Sequence, residues 1–289
     1  MKLPLGKPIF TALFVCLVLG ACHRAASEEA VGRAFTYGGI ARSYRVYAPS
    51  VRPSRPGLVL VLHGWKGSAA EIERRTKFRF NVLAKRDGYV VAYPDAVAGQ
   101  WRSGNPAETA TSDDVGFLSA LIDALSKTYD IDPKRVFVTG FSNGASMTYR
   151  LACDRSDRIA AIAPVSGGLA QQRMPSCAAL SHRPIPLLLI HGTADPVIPF
   201  DSGQLEGNLA YWVRRNGCSA PPRVTYLPDA DPGTRGWSAM RAARRRQTSR
   251  CTRLRAAATI GPAATSRCDW SSEAPRPAIS MGPRPSGPS

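Results

Sequence analysis

A Gly-Phe-Ser-Asn-Gly run at residues 140–144 separates an apolar, β-type segment, Arg135-Val-Phe-Val-Thr-Gly140, from a helix-type one, Ala145-Ser-Met-Thr-Tyr-Arg-Leu-Ala152. The pattern is Gly-x-Ser-x-Gly, and a strand before it with a helix after it is the setting that makes it meaningful. A sharp strand-to-helix turn exposes the serine oxygen, and side chains at the flanking glycines would clash. Ser142 is therefore expected to be an attacking nucleophile.

The surrounding pattern supplies the sheet that such a turn needs. Tyr44–Tyr47 alternates as a strand, and Gly57–Leu62 reads as a buried strand ending at His63-Gly64. A helix is expected over Ala69–Arg86, a strand over Tyr89–Tyr93 closed by Pro94-Asp95, and a helix over Val115–Tyr129. Further strands are expected at Ile159–Val165 and Ile185–Ile190, a helix at Gln204–Arg215, and a weak strand at Arg223–Leu227. Strands that alternate with helices and are apolar throughout indicate a largely parallel sheet covered on both faces. Functional loops in such a sheet sit at the carboxyl ends of its strands, where His63-Gly64, Ser142 and Asp195 all fall.

Ester cleavage by serine needs a nucleophile, a base, a group that orients the base, and donors for the developing oxyanion. Asp195, in His191-Gly-Thr-Ala-Asp195-Pro-Val-Ile-Pro199, is the candidate acid; the alternative is a loop aspartate that caps a turn before Pro196. The oxyanion donors would be the backbone amides of Asn143 and Trp65. The chain has 4 histidines. His63 precedes the serine and reads as structural, His191 as holding its loop, His182 as a surface residue, and His23 as part of a linker. No candidate base follows Asp195, where the order Ser, Asp, His requires one.

Residues 1–22 combine Lys2 and Lys7 with an apolar run, Ile9–Leu19, too short to span a bilayer comfortably. This reads as an export signal. It ends Leu19-Gly20-Ala21-Cys22, which is similar to a bacterial lipobox, with Cys22 as the lipidated residue that ties the protein to a membrane; the alternative is ordinary cleavage near Ala21. Residues 23–32 form a linker. Export permits disulfides, and of the 7 cysteines Cys153 and Cys177 can pair. Cysteine spacing matches no zinc pattern, and no metal or other cofactor is expected.

The formal charge of +17 would ordinarily suggest an anionic partner. Its distribution argues otherwise. Residues 231–289 carry 11 arginines against 2 Asp and 1 Glu, with no Lys, His, Val, Phe or Tyr. Only two aromatics, Trp237 and Trp270, stand among these arginines, so nucleic-acid binding is not expected.

Leu62-His-Gly-Trp65, Tyr93-Pro-Asp95, Asp113-Asp-Val-Gly-Phe117, Gly140-Phe-Ser-Asn-Gly-Ala145 and His191-Gly-Thr-Ala-Asp195 occur in order. Together, over residues 33–230, they resemble the secreted polyhydroxybutyrate depolymerase and feruloyl esterase group of α/β-hydrolases, often lipoproteins in bacteria. The resemblance implies a carboxylic-ester hydrolase acting on polyester oligomers or on feruloyl and acetyl esters of plant polysaccharide. It also implies that Asp113 and Asp114 support the active-site loops and that Trp101 and Trp65 line the acyl site; the alternative for both tryptophans is loop packing. A serine peptidase of the same fold and a non-catalytic polymer-binding protein are the rival readings. A monomer is expected.

The family continues with a Gly-Gly-Gly-His-x-Trp-Pro-Gly segment that supplies the catalytic histidine, and then an Asp-Gly-Pro before a helix. Residues 231–289 show neither. Shifting the reading frame by one base makes both reachable. Each codon then becomes the last base of the preceding residue plus the first two of its own. Ala256–Ala258 admit three glycines, Thr259 admits histidine, Gly261 tryptophan and Pro262 proline. Met281 followed by Gly282 forces a glycine and admits aspartate before it. The same shift admits a cysteine at Ala243 as a partner for Cys218, which makes Cys251 and Cys268 accidental. The tail is thus expected to be out of frame and disordered, leaving a sheet edge uncovered and Ser142 without its base.

Overall fold

A computed structural model of the chain describes residues 29–109, 111–180, 183–192, 195–199 and 203–218, together with the strands 223–226, 237–242 and 252–256. Ten strands form one sheet: β1 (Val31–Tyr37), β2 (Ile40–Tyr47), β3 (Leu58–Leu62), β4 (Val90–Pro94), β5 (Val136–Phe141), β6 (Ala161–Val165), β7 (Leu187–Gly192), β8 (Arg223–Tyr226), β9 (Trp237–Ala242) and β10 (Thr252–Ala256). Their order is β1-β2-β4-β3-β5-β6-β7-β9-β10-β8. The centre, β4-β3-β5-β6-β7, is parallel, and the hairpin β1–β2 adds to β4 in antiparallel sense.

Strand alternation divides the apolar residues between the two faces. Leu58, Leu60 and Leu62 of β3 join a core cluster with Phe117, Leu118, Leu121 and Leu125 of α3 (Asp114–Tyr129) and Met147 and Leu151 of α4 (Asn143–Asp154). Val61, with Val91 and Tyr93 of β4, packs instead on Ala69 and Ile72 of α1 (Ala69–Arg75) and Ala84 of α2 (Arg79–Asp87). Each fully buried Val, Leu, Ile, Phe or Met among these contributes about 1.5–3 kcal/mol. The mostly parallel, doubly covered sheet read from the apolar runs is the one observed.

The single helix expected over Ala69–Arg86 is two. Lys77 and Phe78 both take positive φ, 51° and 56°, which no helix can contain. Thr76 sits at the C-cap of α1 and its hydroxyl donates to the carbonyl oxygens of Ile72 and Glu73. α5 (Met174–Leu180) was not expected, whereas α6 (Gln204–Arg215) runs as read. The disulfide Cys153–Cys177 joins α4 to α5, with Cα atoms 4.9 Å apart. Cys218, just beyond α6, is also disulfide-bonded.

The tail corrects a second expectation. β9 and β10 both come from residues 231–289, and β9 pairs antiparallel with β7 from Leu187↔Ala242 to Gly192↔Trp237. The edge of β7 is therefore covered. A ladder needs only extended backbone whose N–H and C=O groups meet unpaired partners, so an arginine-rich segment can supply it. The remainder of the tail, the export signal with Cys22, and His23 and His182 lie outside the described residues.

Candidate active site

The sheet reverses direction of winding beside β3: the chain passes from β3 to β4 on one side and then to β5 on the other. The crevice at such a switch point is where this architecture binds ligands. Trp65 follows β3 and Ser142 follows β5, so both loops open onto it. They line a cleft of about 750 Å³ together with Asn143, Ser146, Glu108, Val197 and Ile198.

Ser142 has φ 53° and ψ −116°, a backbone conformation that non-glycine residues adopt at a cost of about 1–3 kcal/mol. The strain is held from three sides. The Ser142 N–H donates to the Val165 carbonyl at 3.0 Å, and its own carbonyl accepts from Ser146 N–H at 3.0 Å. A Cβ on Gly144 would lie 2.4 Å from the His63 carbonyl oxygen, so only glycine lets the loop after β3 close on the elbow. Asn143 opens α4, where an amide N–H has no intrahelical acceptor. Trp65 N–H donates to no backbone carbonyl among the described residues.

His63 is fully buried. Its Nδ1 lies 2.7 Å from the Gly64 carbonyl oxygen and its Nε2 accepts the Ala96 N–H at 3.0 Å. Burial pushes the imidazole below its ordinary range, partly opposed by the Gly64 carbonyl and by Asp95, Glu71 and Asp114. The ring is a neutral brace between two loops, as read. His191 is fully buried too, and its Nε2 lies 2.8 Å from the Ile198 carbonyl oxygen and 3.5 Å from Asp195 Oδ2. Neither of these histidines lines the cleft.

Asp195 follows β7, at the same end of the sheet as Ser142. Its Oδ1 accepts the N–H groups of Val197 (2.9 Å) and Ile198 (3.0 Å), the turn-capping geometry. Asp195 does not itself line the cleft, but the two residues whose amides it holds do.

The two tryptophans part company. Trp65 is 61% exposed on the rim of the cleft. Trp101 is fully buried and is not a cleft residue, which corrects its expected place in the substrate site. Its indole Nε1 donates to the His63 carbonyl at 3.0 Å and its ring packs on the His63 imidazole, 5.1 Å between centroids. A large flat ring with one donor is better satisfied there than facing water. Asp114 supports this loop, accepting from Arg102 N–H at 2.8 Å while its other oxygen pairs with the buried Arg42 at 2.8 Å. Asp113 instead caps α3 and accepts from the Tyr37 hydroxyl.

Glu108 is a site residue that the sequence did not disclose. It accepts from Gly104 N–H (2.8 Å), Asn105 N–H (3.2 Å), Asn143 Nδ2 (3.1 Å) and the Ser103 hydroxyl. The spacing Ser103 to Glu108 is a loop-closing pattern only once the loop is known to fold back on the elbow. Among the described residues no group of His, Cys, Asp and Glu is placed to hold a metal ion.

The model of the phospholipase/carboxylesterase family matches residues 100–212, which include the elbow and the Asp195 loop. The bifunctional acetylxylan esterase/xylanase XynS20E of Neocallimastix patriciarum is 35% identical over 67% of this chain and 27% of its own length. Feruloyl esterase B of Piromyces equi is 30% identical over 57% of this chain and 33% of its own. The chain thus spans a quarter to a third of the length of these relatives. The acetyl xylan esterase from Aspergillus awamori superposes with a TM-score of 0.59 at 18% identity, covering 77% of this chain and 91% of that one. The fold is that of the α/β-hydrolases, and the chain is similar in sequence to acetylxylan and feruloyl esterases.

Proposed function

We propose that this protein is an exported serine carboxylic-ester hydrolase for acyl groups carried on a saccharide, and that the chain as written is impaired because, among the described residues, no histidine lines the cleft beside Ser142. One observation carries the proposal: a strained serine at a strand-to-helix elbow forms part of the wall of a cleft at the switch point of the sheet.

In this reading the Ser142 oxygen attacks the ester carbonyl. The amides of Asn143 and Trp65 hold the oxyanion, the first aided by the positive end of α4. The alcohol leaves, and water later releases the acyl group. Asp195 Oδ2 would orient the base. Loss of one triad member costs several powers of ten in rate yet leaves the assistance of the oxyanion hole. The cleft favours a saccharide carrier over a polyester. Gln100, Asn105, Gln171, Gln172 and Gln204 line it, and carboxamides both donate to and accept from sugar hydroxyls. Export and a lipid anchor at Cys22 rest on the residue pattern, and the Cys153–Cys177 bond fits an oxidising compartment.

The missing base is placed in the shifted frame of residues 231–289. The nucleotide sequence of the gene tests this: the shifted frame should read through the Gly-Gly-Gly-His segment without a stop codon.

The catalytic reading is tested by intact-mass spectrometry after incubation with nitrophenyl acetate and methyl ferulate. With attack slow and release slower, an acyl adduct should accumulate on Ser142 and be absent in Ser142→Ala. Saccharide binding unchanged by Ser142→Ala, with no adduct on Ser142 in the parent, would favour a non-catalytic binding protein instead.

A further inference from the structure

We infer that Asp154 is a positioning residue that clasps the two walls of the cleft together and so sets which esters the cleft admits. This rests on the reading of the cleft as a substrate site. Asp154 is the last residue of α4, eleven residues of helix beyond the elbow's Asn143. A carboxylate at a helix C-terminus faces the negative end of the macrodipole and is held there only by cations. Two guanidiniums supply them. Arg173 Nη2 donates to both carboxylate oxygens, at 2.7 and 2.9 Å, and Arg150 Nε donates to Oδ2 at 3.2 Å.

Each arginine holds a different wall. Arg150 Nη1 also donates to the Arg102 carbonyl, at the head of the segment that contributes Ser103, Asn105, Pro106, Ala107 and Glu108 to the cleft. Arg173 closes the turn whose Ala170, Gln171 and Gln172 form the facing wall. The walls also meet directly. Gly104 approaches the Arg173 stem so closely that a Cβ there would lie 2.8 Å from Arg173 Cδ. All three charged side chains are mostly buried, at 15–26% exposure, so the pairing is shielded from salt and water. The Cys153–Cys177 bond lies beside the clasp and holds α5 to α4 independently, so loss of the carboxylate acts on the walls and leaves the helix pair in place.

The test combines hydrogen exchange with calorimetric binding of acetylated xylotriose, on the full chain and on Asp154→Asn, Arg150→Met and Arg173→Met. Asp154→Asn should speed exchange about tenfold at amides of both 102–108 and 170–173, with the core strands unchanged, and weaken binding about tenfold. Arg150→Met should loosen only the first wall and Arg173→Met only the second. Faster exchange at one wall, at neither, or throughout the molecule would overturn the clasp. Equal binding by the parent and Asp154→Asn would overturn its role in selection. If the parent binds no xylotriose ester while the exchange pattern appears, the clasp stands and the saccharide reading of the cleft fails.

Discussion

Asn143 and Trp101 exchange two hydrogen bonds: Asn143 Oδ1 accepts the Trp101 N–H at 2.8 Å, and Asn143 Nδ2 donates to the Trp101 carbonyl at 3.1 Å. The carboxamide thereby does for Trp101 what a neighbouring strand would do. Asn208 treats Leu169 in the same way, at 2.6 and 3.1 Å, beside the other wall of the cleft. Two loops that cross the face of the sheet without a ladder are thus pinned to helices by single side chains.

The Asn143 arrangement distinguishes two nearly isosteric substitutions. Asn143→Ala removes both bonds and should lower stability by about 1–3 kcal/mol, measured by urea unfolding. Asn143→Asp keeps the acceptor but loses the donor, and sets a second carboxylate where Nδ2 now meets Glu108 at 3.1 Å. Like charges that close oppose each other. The Asp variant should be the less stable of the two at pH 7, and the gap should narrow on acidification.

Gly144→Ala should cost more than a surface substitution ever does. The added carbon would lie 2.4 Å from the His63 carbonyl oxygen and 2.5 Å from that of Leu62, and backbone cannot yield as a flexible side chain can. A loss of about 3 kcal/mol or more is expected, together with loss of labelling at Ser142 because the elbow opens. Ala at Gly207, inside α6 with open space around it, is the control and should unfold no more easily than the parent, and up to about 1 kcal/mol less easily.

What could be read from the residues followed from local patterning. The apolar strands and the elbow were legible because each is specified by its own side chains. The kink at Lys77 and Phe78 was not, since both are acceptable in a helix and the break depends on how α1 and α2 pack on β4. Ser142, Trp65 and Asn143 were found by motif and meet in space. Trp101 was misplaced because a tryptophan in a loop looks the same whether it faces a ligand or seals a loop against His63. Glu108 carries no motif at all. The strands β9 and β10 were invisible because a ladder is made by backbone, whatever the side chains.

Removing the Cys153–Cys177 bond by paired Ser substitutions should lower stability by about 3 kcal/mol, as expected for a closed loop of this size. Thermal unfolding with and without reductant checks this: the parent should be sensitive to reductant under unfolding conditions, and the contribution of this bond should be lost from the variant.

Acid should weaken the fold through His63 before the carboxylates titrate. Burial holds its folded pKa below the ordinary 6.5, so the unfolded chain binds the proton more readily. This contribution is fully present above about pH 6.5 and is lost as pH falls through the window between the unfolded and folded values. His63→Asn cannot titrate, and its urea midpoint should stay flatter than the parent's between pH 7 and pH 5.

The most direct measurement is steady-state hydrolysis of nitrophenyl acetate by the chain as written and by Ser142→Ala. The expected result is turnover several powers of ten below the roughly 1–1000 per second of ordinary enzymes, with little further loss in Ser142→Ala because the members of the triad act as a unit. Turnover within that ordinary range that Ser142→Ala abolishes would contradict the missing base.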